Sequence, residues 1–273
     1  MLWRIPFKAD GDGLNYKRYN LLEQQIRGFN GTHSVIGQDE SNGYNLYTFK
    51  LGNPNKPKIY LMAGMHGTEW HGSIITMKFL TQIRDGTYPD KTLLYQLLNE
   101  YCIVCLPVLN PWGYDRQTRY NINDSEFNRD YNVWSQSEVR AMRDSFISEK
   151  PFAFLDFHLM QPNYTQYDVV VSHGHPKTAY LAEYTKRSFT AKTGEPVTRW
   201  INSNDPHKSG NSRFWAVGND SPNTSCIVSS TYEITRYDKY TNKEIMEYGL
   251  YLLHLFCTSA INYHKKVSIG NFG

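Results

Sequence analysis

An apolar run, Ile59 to Met65, passes through a short glycine-containing turn into a helical pattern, Trp70 to Arg84, and this junction restricts the fold strongly. Unbroken apolar runs of this length are typical of strands that are buried on both faces of a parallel sheet. The turn carries His66 and Glu69. In open α/β sheets, ligands bind beyond the carboxyl ends of the strands, where this pair is expected to lie. An imidazole and a carboxylate suit Zn²⁺, although a helix-capping His beside a solvated Glu would give the same pattern.

Strand-like and helix-like segments alternate along the rest of the chain. Helical periodicity predicts helices at residues 16–29, 70–84, 92–98, 137–148, 176–193 and about 242–258. Strands are predicted at residues 32–36, 44–51, 59–65, 101–108, 152–158, 167–172 and 225–234. This alternation predicts an α/β fold with a mixed, largely parallel central sheet and helices on both faces. The 273 residues contain no repeat or low-complexity linker, so we expect a single domain over 1–273 with its core at about 55–260.

Composition excludes several classes of partner. There are 29 Lys and Arg against 26 Asp and Glu, a balance that favours neither nucleic acid nor a membrane surface as a partner. The sequence holds no apolar run of the ~20 residues that span a bilayer. The first ten residues lack the apolar centre of a signal peptide, so we expect a cytoplasmic protein, or one released by another route.

Cys102 and Cys105 lie three apart in an apolar strand pattern, which favours two core residues over a redox or zinc pair.

The second apolar strand leads into a loop that is rich in arginine. This strand, predicted at 101–108, is followed by Leu109-Asn-Pro-Trp-Gly-Tyr114 and then by Arg116, Arg119 and Arg129 among Asn and Tyr residues. A guanidinium at a strand's carboxyl end suits a substrate carboxylate or a developing oxyanion. A solvated basic loop is the alternative interpretation.

Two more strands carry polar side chains in apolar surroundings. Asp156 and His158 lie two apart on a strand and therefore face the same side, so the Asp could orient a neighbour. Glu233 lies within an apolar, β-branched strand, where a carboxylate is costly unless it has a partner or a chemical role. Two His and one Glu as ligands, with a separate Glu as base, is the arrangement of a hydrolytic zinc site.

Six short motifs follow one another in an order that resembles the zinc carboxypeptidases of the funnelin type. They are His66-x-x-Glu69, Asn110-Pro-x-Gly-Tyr114, Arg119-x-Asn121, Asn128-Arg129, Asp156-x-His158 and Glu233. The short link from Arg119 to Asn128-Arg129, and Ser137-x-x-Arg140 after it, are more similar to bacterial murein-peptide amidases than to digestive carboxypeptidases. The resemblance covers roughly residues 55–260.

The resemblance implies a role for each matching residue. One zinc ion would be bound by His66, Glu69 and His158. Glu233 would activate the attacking water and then protonate the leaving amine, while Arg119 would polarise the scissile carbonyl and stabilise the oxyanion. Asn128 and Arg129 would hold the free C-terminal carboxylate of a peptide substrate.

The chain departs from the family pattern in two places. Glu126 stands where the family usually has an Asp that orients the first zinc His, and a Glu can accept the same hydrogen bond through a longer side chain. The family's mobile-loop Tyr has no clear match between residues 200 and 210, where His207 is the nearest polar candidate. Tyr232 is next to Glu233 on the strand and should therefore face away from the site.

A further segment resembles the one that lines the family's specificity pocket. This segment, residues 209–216, places Arg213 where the side chain of the last substrate residue is read. An Arg there would favour an acidic or carboxylate-bearing residue, and a solvated surface Arg is the alternative.

These features together predict a zinc metallocarboxypeptidase that removes the C-terminal residue of a short peptide. The favoured substrate is a cell-wall peptide, cut at a γ-D-glutamyl–diamino acid bond. Three alternatives remain: an N-acyl amino acid amidohydrolase of the aspartoacylase and succinylglutamate desuccinylase group, a non-catalytic binding domain on the same fold, and a cell-wall or phage-particle component that applies this chemistry to a polymer. Oligomeric state is left open.

Overall fold

A computed structural model describes residues 14–29, 32–200, 210–218, 226–236 and 239–268. The strands are β1 (His33–Gln38), β2 (Asn45–Gly52), β3 (Lys58–Ala63), β4 (Cys102–Leu106), β5 (Ala153–Leu159), β6 (Val169–Ser172), β7 (Val197–Trp200) and β8 (Val228–Ile234). Within the described residues they form one eight-stranded sheet in the order β1-β2-β4-β3-β5-β8-β6-β7. The four central strands, β4, β3, β5 and β8, are parallel to one another, while β2 joins β4 and β6 joins β8 in antiparallel fashion. The predicted mixed, largely parallel sheet is confirmed.

Helices connect most of these strands. They are α1 (Tyr19–Arg27), α2 (Trp70–Arg84), α3 (Lys91–Tyr95), α4 (Pro111–Arg116), α5 (Ser137–Glu149), α6 (Ala179–Thr193), α7 (Ser212–Trp215) and α8 (Asn242–Ser268). Short 3₁₀ turns lie at Gly67–Glu69, Phe127–Arg129 and Pro176–Thr178, and a π-helical turn at Gln96–Glu100 follows α3.

The central strands place alternate side chains in two hydrophobic clusters, one on each face of the sheet. On β3, Ile59 and Leu61 belong to the cluster formed with α1, α2, α6 and α8, whereas Tyr60 and Met62 belong to the cluster formed with α5 and α7. Burial of each such side chain contributes roughly 1.5–3 kcal/mol to the free energy of unfolding. Helices therefore cover both faces, as predicted, and every described strand joins one sheet. The single domain stays a prediction.

Several predicted boundaries were wrong. Only α2 begins and ends where predicted; α1 is shorter than 16–29, and the helix predicted at 92–98 divides into α3 and the π-helical turn. The last helix runs to Ser268, past the predicted end near 258, because its buried face continues through Ala260 and Ile261. The strand predicted at 225–234 begins at Val228.

Three elements were not predicted at all. Helix α4 lies in the stretch after the second strand, where no helix was predicted, although Pro111 at its first position and the Asn110 side chain, which accepts from Gly113 N at 2.9 Å, are ordinary helix-start signals. Strand β7 and helix α7 have four residues each, too few to show a period in the sequence.

Two predictions from composition can be compared with the structure. Cys102 and Cys105 are buried free thiols on β4, which confirms the interpretation as core residues. In the described part of the chain, no helix combines the length and the apolar character that crossing a membrane requires.

Candidate metal centre

The register of the central strands brings three distant parts of the sequence to one edge of the sheet. Ala63, at the end of β3, pairs with Phe157 on β5, and His158 pairs with Glu233 on β8. The 3₁₀ turn after β3 then carries His66 and Glu69 over the same edge. The carboxyl ends of the parallel strands meet at one edge, as predicted from the sequence.

Glu69 lies between the two histidines. Its Oε1 is 2.7 Å from His66 Nδ1, and its Oε2 is 2.9 Å from His158 Nδ1. One ligand atom from each residue lies within 4.8 Å of the others, and all three side chains are buried. Within the described residues this is the group of side chains that could hold a metal ion.

The far side of each imidazole faces a second carboxylate. His66 Nε2 is 2.7 Å from Glu126 Oε1, and His158 Nε2 is 2.8 Å from Asp156 Oδ1. A carboxylate at Nε2 favours the tautomer that keeps the proton there and leaves the Nδ1 lone pair free for a metal. Two Nδ1 atoms and a carboxylate fit the N and O donor set of a catalytic zinc site with three protein ligands.

Electrostatics keep the carboxylates of Glu69 and Glu126 ionised. Burial would raise the pKa of Glu126, but His66 and Arg119 outweigh it and lower the pKa to about 2. Burial would likewise raise the pKa of Glu69, but the imidazoles of His66 and His158 hold it well below its usual range. Each effect acts in the opposite direction on His66. Burial lowers the pKa of its imidazole, but Glu69 and Glu126 outweigh burial and raise that pKa overall. The ionised carboxylates of Glu69 and Glu126 supply the negative charge that a bound cation requires.

Glu233 lies beside the centre and faces the same side of the sheet as His158. Burial raises the pKa of its carboxyl, the negative Glu69 adds to the rise, and His158 opposes it. Tyr232 faces the opposite side, where its hydroxyl lies 2.9 Å from Thr185 Oγ1 on α6. The prediction that Tyr232 faces away from the site is confirmed.

Arg119 reaches the centre from the loop after α4. Its Nε donates to Glu126 Oε2 at 2.6 Å, and its Nη1 lies 3.2 Å from His66 Nδ1. The Asn110 amide donates to the Arg119 carbonyl at 3.3 Å and so joins the loop to the start of α4. Arg116 behaves differently, because its guanidinium stacks on Trp112 at 4.4 Å.

A cavity of about 160 Å³ opens onto the centre, and all eight predicted site residues line it. These are His66, Glu69, Arg119, Asn128, Arg129, His158, Arg213 and Glu233. The lining also includes four polar or aromatic residues that the sequence did not single out: Gln161, Tyr164, Trp200 and Asn211. Asn211 lies in the 209–216 segment that resembles the specificity pocket, but it was not itself predicted as a site residue, and only the fold places all four at the cavity. His207 lies outside the described residues.

Arg213 is buried in the wall of this cavity, with 3 % of its surface exposed. Its Nη1 donates to Asn211 Oδ1 at 2.9 Å, and its guanidinium lies 4.4 Å from the Phe214 ring centre. The alternative of a solvated surface Arg is therefore wrong. Asn128 connects its 3₁₀ turn to the start of α7, because its Oδ1 accepts from Ser212 N at 3.2 Å.

Comparison with known proteins relates this geometry to one family. The family model described as zinc carboxypeptidase matches residues 33–133, which include His66, Glu69 and Arg119. Carboxypeptidase B from Rattus norvegicus is 36 % identical over 114 residues, which cover 37 % of this chain and 27 % of the rat protein. Residues 33–133 of this chain are therefore similar to the zinc carboxypeptidases. The match spans about a quarter of the rat enzyme's length.

Several solved structures share the fold over most of the chain. A metallo-carboxypeptidase from Burkholderia cenocepacia aligns with a TM-score of 0.72 at 15 % identity, covering 90 % of this chain and 69 % of that one. Bovine thrombin-activatable fibrinolysis inhibitor, solved in complex with tick carboxypeptidase inhibitor, aligns with a TM-score of 0.71 at 17 % identity. That alignment covers 91 % of this chain and 98 % of the bovine one. The carboxypeptidase-like fold is thereby confirmed.

Proposed function

We propose that this protein is a zinc metallocarboxypeptidase that hydrolyses the C-terminal amide bond of a short peptide. The observation that carries the proposal is the convergence of a His-Glu-His metal centre, a separate glutamate and three arginines on one small cavity. A metal centre alone would support many activities. Arginines that can hold a carboxylate beside the reacting group favour a substrate that ends in one.

His66, Glu69 and His158 would hold the metal. Zinc, when bound, supplies Lewis acidity toward a carbonyl oxygen and toward a water molecule. Glu233, beside His158 in the sheet register, takes a proton from the attacking water and delivers it to the leaving amine. Arg119 directs its guanidinium toward the same space and stabilises negative charge that develops on the carbonyl oxygen.

Asn128 and Arg129 provide the grip on the end of the substrate. Both line the cavity, and they lie in a 3₁₀ turn that is capped by the Glu126 side chain, which accepts from Asn128 N at 3.2 Å. A guanidinium and an amide can together bind a carboxylate through several hydrogen bonds. This grip restricts cleavage to the last peptide bond.

Arg213 extends the proposal to the substrate's last side chain. Its burial in the cavity wall favours a terminal residue that carries a second carboxylate. A cell-wall peptide that ends in a diamino acid with a distal carboxylate, joined through a γ-D-glutamyl bond, has this chemistry. The short link between Arg119 and Asn128-Arg129 also supports this substrate class.

Mass spectrometry of a substrate panel tests the proposal. The zinc-loaded protein is incubated, with and without chelator, with ordinary peptides, murein tri- and tetrapeptides and N-acyl amino acids. Chelator-sensitive loss of a C-terminal residue is the expected result. Cleavage of the N-acyl amino acids alone would instead identify a deacylase, and an absence of cleavage with zinc bound would favour a binding domain.

Replacement of Arg213 tests the acidic preference. We expect Arg213→Ala to lower kcat/KM about 10- to 100-fold for substrates with an acidic last residue, because one charged hydrogen-bond partner is lost. Neutral substrates should be affected little. Arg116→Ala is the control, since that guanidinium stacks on Trp112 and does not line the cavity. An equal loss on acidic and neutral substrates would contradict the role of Arg213.

A further inference from the structure

Arg236 follows β8 three residues after Glu233 and bridges two other segments of the metal centre. Its Nη1 donates to the Thr68 carbonyl at 2.6 Å, and its Nε donates to the Met160 carbonyl at 2.8 Å. It belongs to no motif that the sequence singled out, and it does not line the cavity.

Both carbonyls flank proposed metal ligands. Thr68 stands between His66 and Glu69 in the 3₁₀ turn, and Met160 lies two residues after His158 at the end of β5. One guanidinium therefore ties together the segment that carries the first two ligands and the segment that carries the third. We call this pair of hydrogen bonds from Arg236 the brace. Since Arg236 lies just after β8, the brace also joins the strand of Glu233 to both ligand-bearing segments.

The surrounding backbone makes this brace rigid. Met160 N donates to the Ile234 carbonyl at 2.9 Å, so both polar groups of the Met160 backbone are held from the β8 side. Leu159 N donates to Glu69 Oε2 at 3.1 Å and thus couples the end of β5 directly to a ligand carboxylate. A shift of the Met160 segment would move Leu159 and, through it, Glu69.

The type of partner is also informative. A partly buried guanidinium loses favourable contacts with water, and an ion pair is the usual compensation. Here the two short hydrogen bonds are made to neutral carbonyls next to proposed ligands, so they fix the positions of these segments and do not neutralise the charge. Arg suits this use because its planar fork holds donors in fixed directions, whereas a Lys ammonium is a single point.

We propose that Arg236 is a positioning residue for the metal centre, which holds the His66–Glu69 turn and the His158 segment at the separation that a bound zinc ion needs. It acts through the two carbonyls and does not touch the metal or the substrate. Loss of groups that orient metal ligands typically weakens metal affinity by about 10- to 100-fold. The proposal rests on the ligand assignment and not on the peptidase activity.

Zinc affinity is the first measurement. The purified proteins, stripped of metal, are titrated with zinc in competition with a chromophoric chelator. We expect Arg236→Met, which keeps an apolar stem and removes the donors, to raise the zinc Kd about 10- to 100-fold. Arg236→Lys can reach one carbonyl and should give an intermediate value. Arg187→Met is the control, because Arg187 is an exposed helix residue paired with Glu183, and its Kd should equal that of the wild type.

Thermal unfolding with and without zinc separates positioning from general stability. A ligand that binds only the folded state raises Tm by an amount that depends on its Kd, so the zinc-induced rise should shrink in Arg236→Met and less so in Arg236→Lys. If Arg236→Met lowers Tm equally with and without zinc, and its zinc Kd stays within about twofold of the wild type, Arg236 has a merely structural role and the proposal is overturned. If Arg236→Met does not fold, Arg236→Lys alone decides by the same criterion.

The two proposals fail in distinguishable ways. A wild-type protein that binds zinc and cleaves nothing would contradict the peptidase proposal. The zinc Kd values of the Arg236 variants would still test the positioning proposal. A wild-type protein that binds no zinc would overturn the Arg236 proposal together with the ligand assignment.

Discussion

The imidazole of His66 lies between two carboxylates, with Glu69 at Nδ1 and Glu126 at Nε2, each at 2.7 Å. The zinc carboxypeptidases that this chain resembles usually have a shorter Asp in the outer position. Glu126 caps the 3₁₀ turn at Phe127–Arg129, and its side chain also accepts from Asn128 N. One carboxylate thus links a metal ligand to the residues proposed to hold the substrate.

Replacement of Glu126 tests this link. We expect Glu126→Gln to weaken zinc binding about 10- to 100-fold, because the neutral amide no longer stabilises the Nε2–H tautomer as strongly. Chelator competition gives the Kd. Glu149→Gln is a suitable control, since Glu149 pairs with Lys50 and Lys58. Unchanged zinc affinity in Glu126→Gln would mean that the outer carboxylate does not orient His66.

Glu233 is the residue on which turnover is expected to depend. Glu233→Gln keeps the shape of the side chain and removes its ability to accept a proton, so we expect kcat to fall about 10³-fold. Zinc content should remain that of the wild type, because Glu233 is not among the proposed ligands. Metal analysis and steady-state kinetics on the same preparation check both points. A rate near that of the wild type would remove Glu233 from the role of base.

At the scale of elements, the metal centre depends on a close crossing between the turn after β3 and α4. A Cβ atom added at Gly67 would lie 1.9 Å from the backbone carbon of Gly113, so the two chains meet where only glycine fits. This contact seats the His66–Glu69 turn on a helix that Asn110 caps. The sheet edge brings the ligand-bearing segments together, and this crossing fixes the position of the turn that carries His66 and Glu69.

A glycine substitution measures the importance of the crossing. We expect Gly67→Ala to lower the free energy of unfolding by about 3 kcal/mol, because the backbones must separate. Zinc affinity should fall as well. Gly86→Ala is the control: Gly86 has φ +68° and no atom near an added Cβ, so backbone strain alone should cost about 1 kcal/mol. Denaturant unfolding compares the two, and equal losses would contradict the steric argument.

At the scale of the whole molecule, a buried carboxyl joins regions that are distant in sequence. Glu138, in the first turn of α5, accepts from Glu40 N at 3.3 Å and from Asn121 Nδ2 at 3.4 Å. It thereby connects the turn between β1 and β2 with the loop that carries Arg119. Burial raises the pKa of Glu138 to about 7, and the nearby Asp39 adds to the rise, while the hydrogen bonds oppose it.

This raised pKa predicts how stability depends on pH. The folded state holds the proton more tightly than the unfolded chain, whose glutamate has an ordinary pKa near 4.5. The contribution of Glu138 to stability is therefore complete below about pH 4.5 and is lost as the pH rises through 7, a change of about 3 kcal/mol. Glu138→Gln should remove this component from urea unfolding curves measured at about pH 5 and about pH 8. An unchanged pH dependence would contradict the assignment.

Much of the fold and of the site could be predicted from the sequence because the signals were local. The apolar run that becomes β3 and the periodic pattern of α2 each lie within one stretch of chain. Parallel strands then bring their carboxyl ends to one edge by necessity, so the sequence alone groups His66, His158 and Glu233. The alternation of side chains along a strand likewise predicted that Tyr232 faces away.

Tertiary structure alone decided the features that depend on packing between distant segments. The burial of Arg213, the reach of Glu126 to His66, the crossing of Gly67 with Gly113 and the bridge from Arg236 to Thr68 and Met160 have no local signature. A side chain's partner across the fold depends on distances of a few tenths of an ångström, and sequence periodicity specifies only which face a residue occupies. The sequence therefore determined which chemical groups meet, and the folded chain determined how they are held.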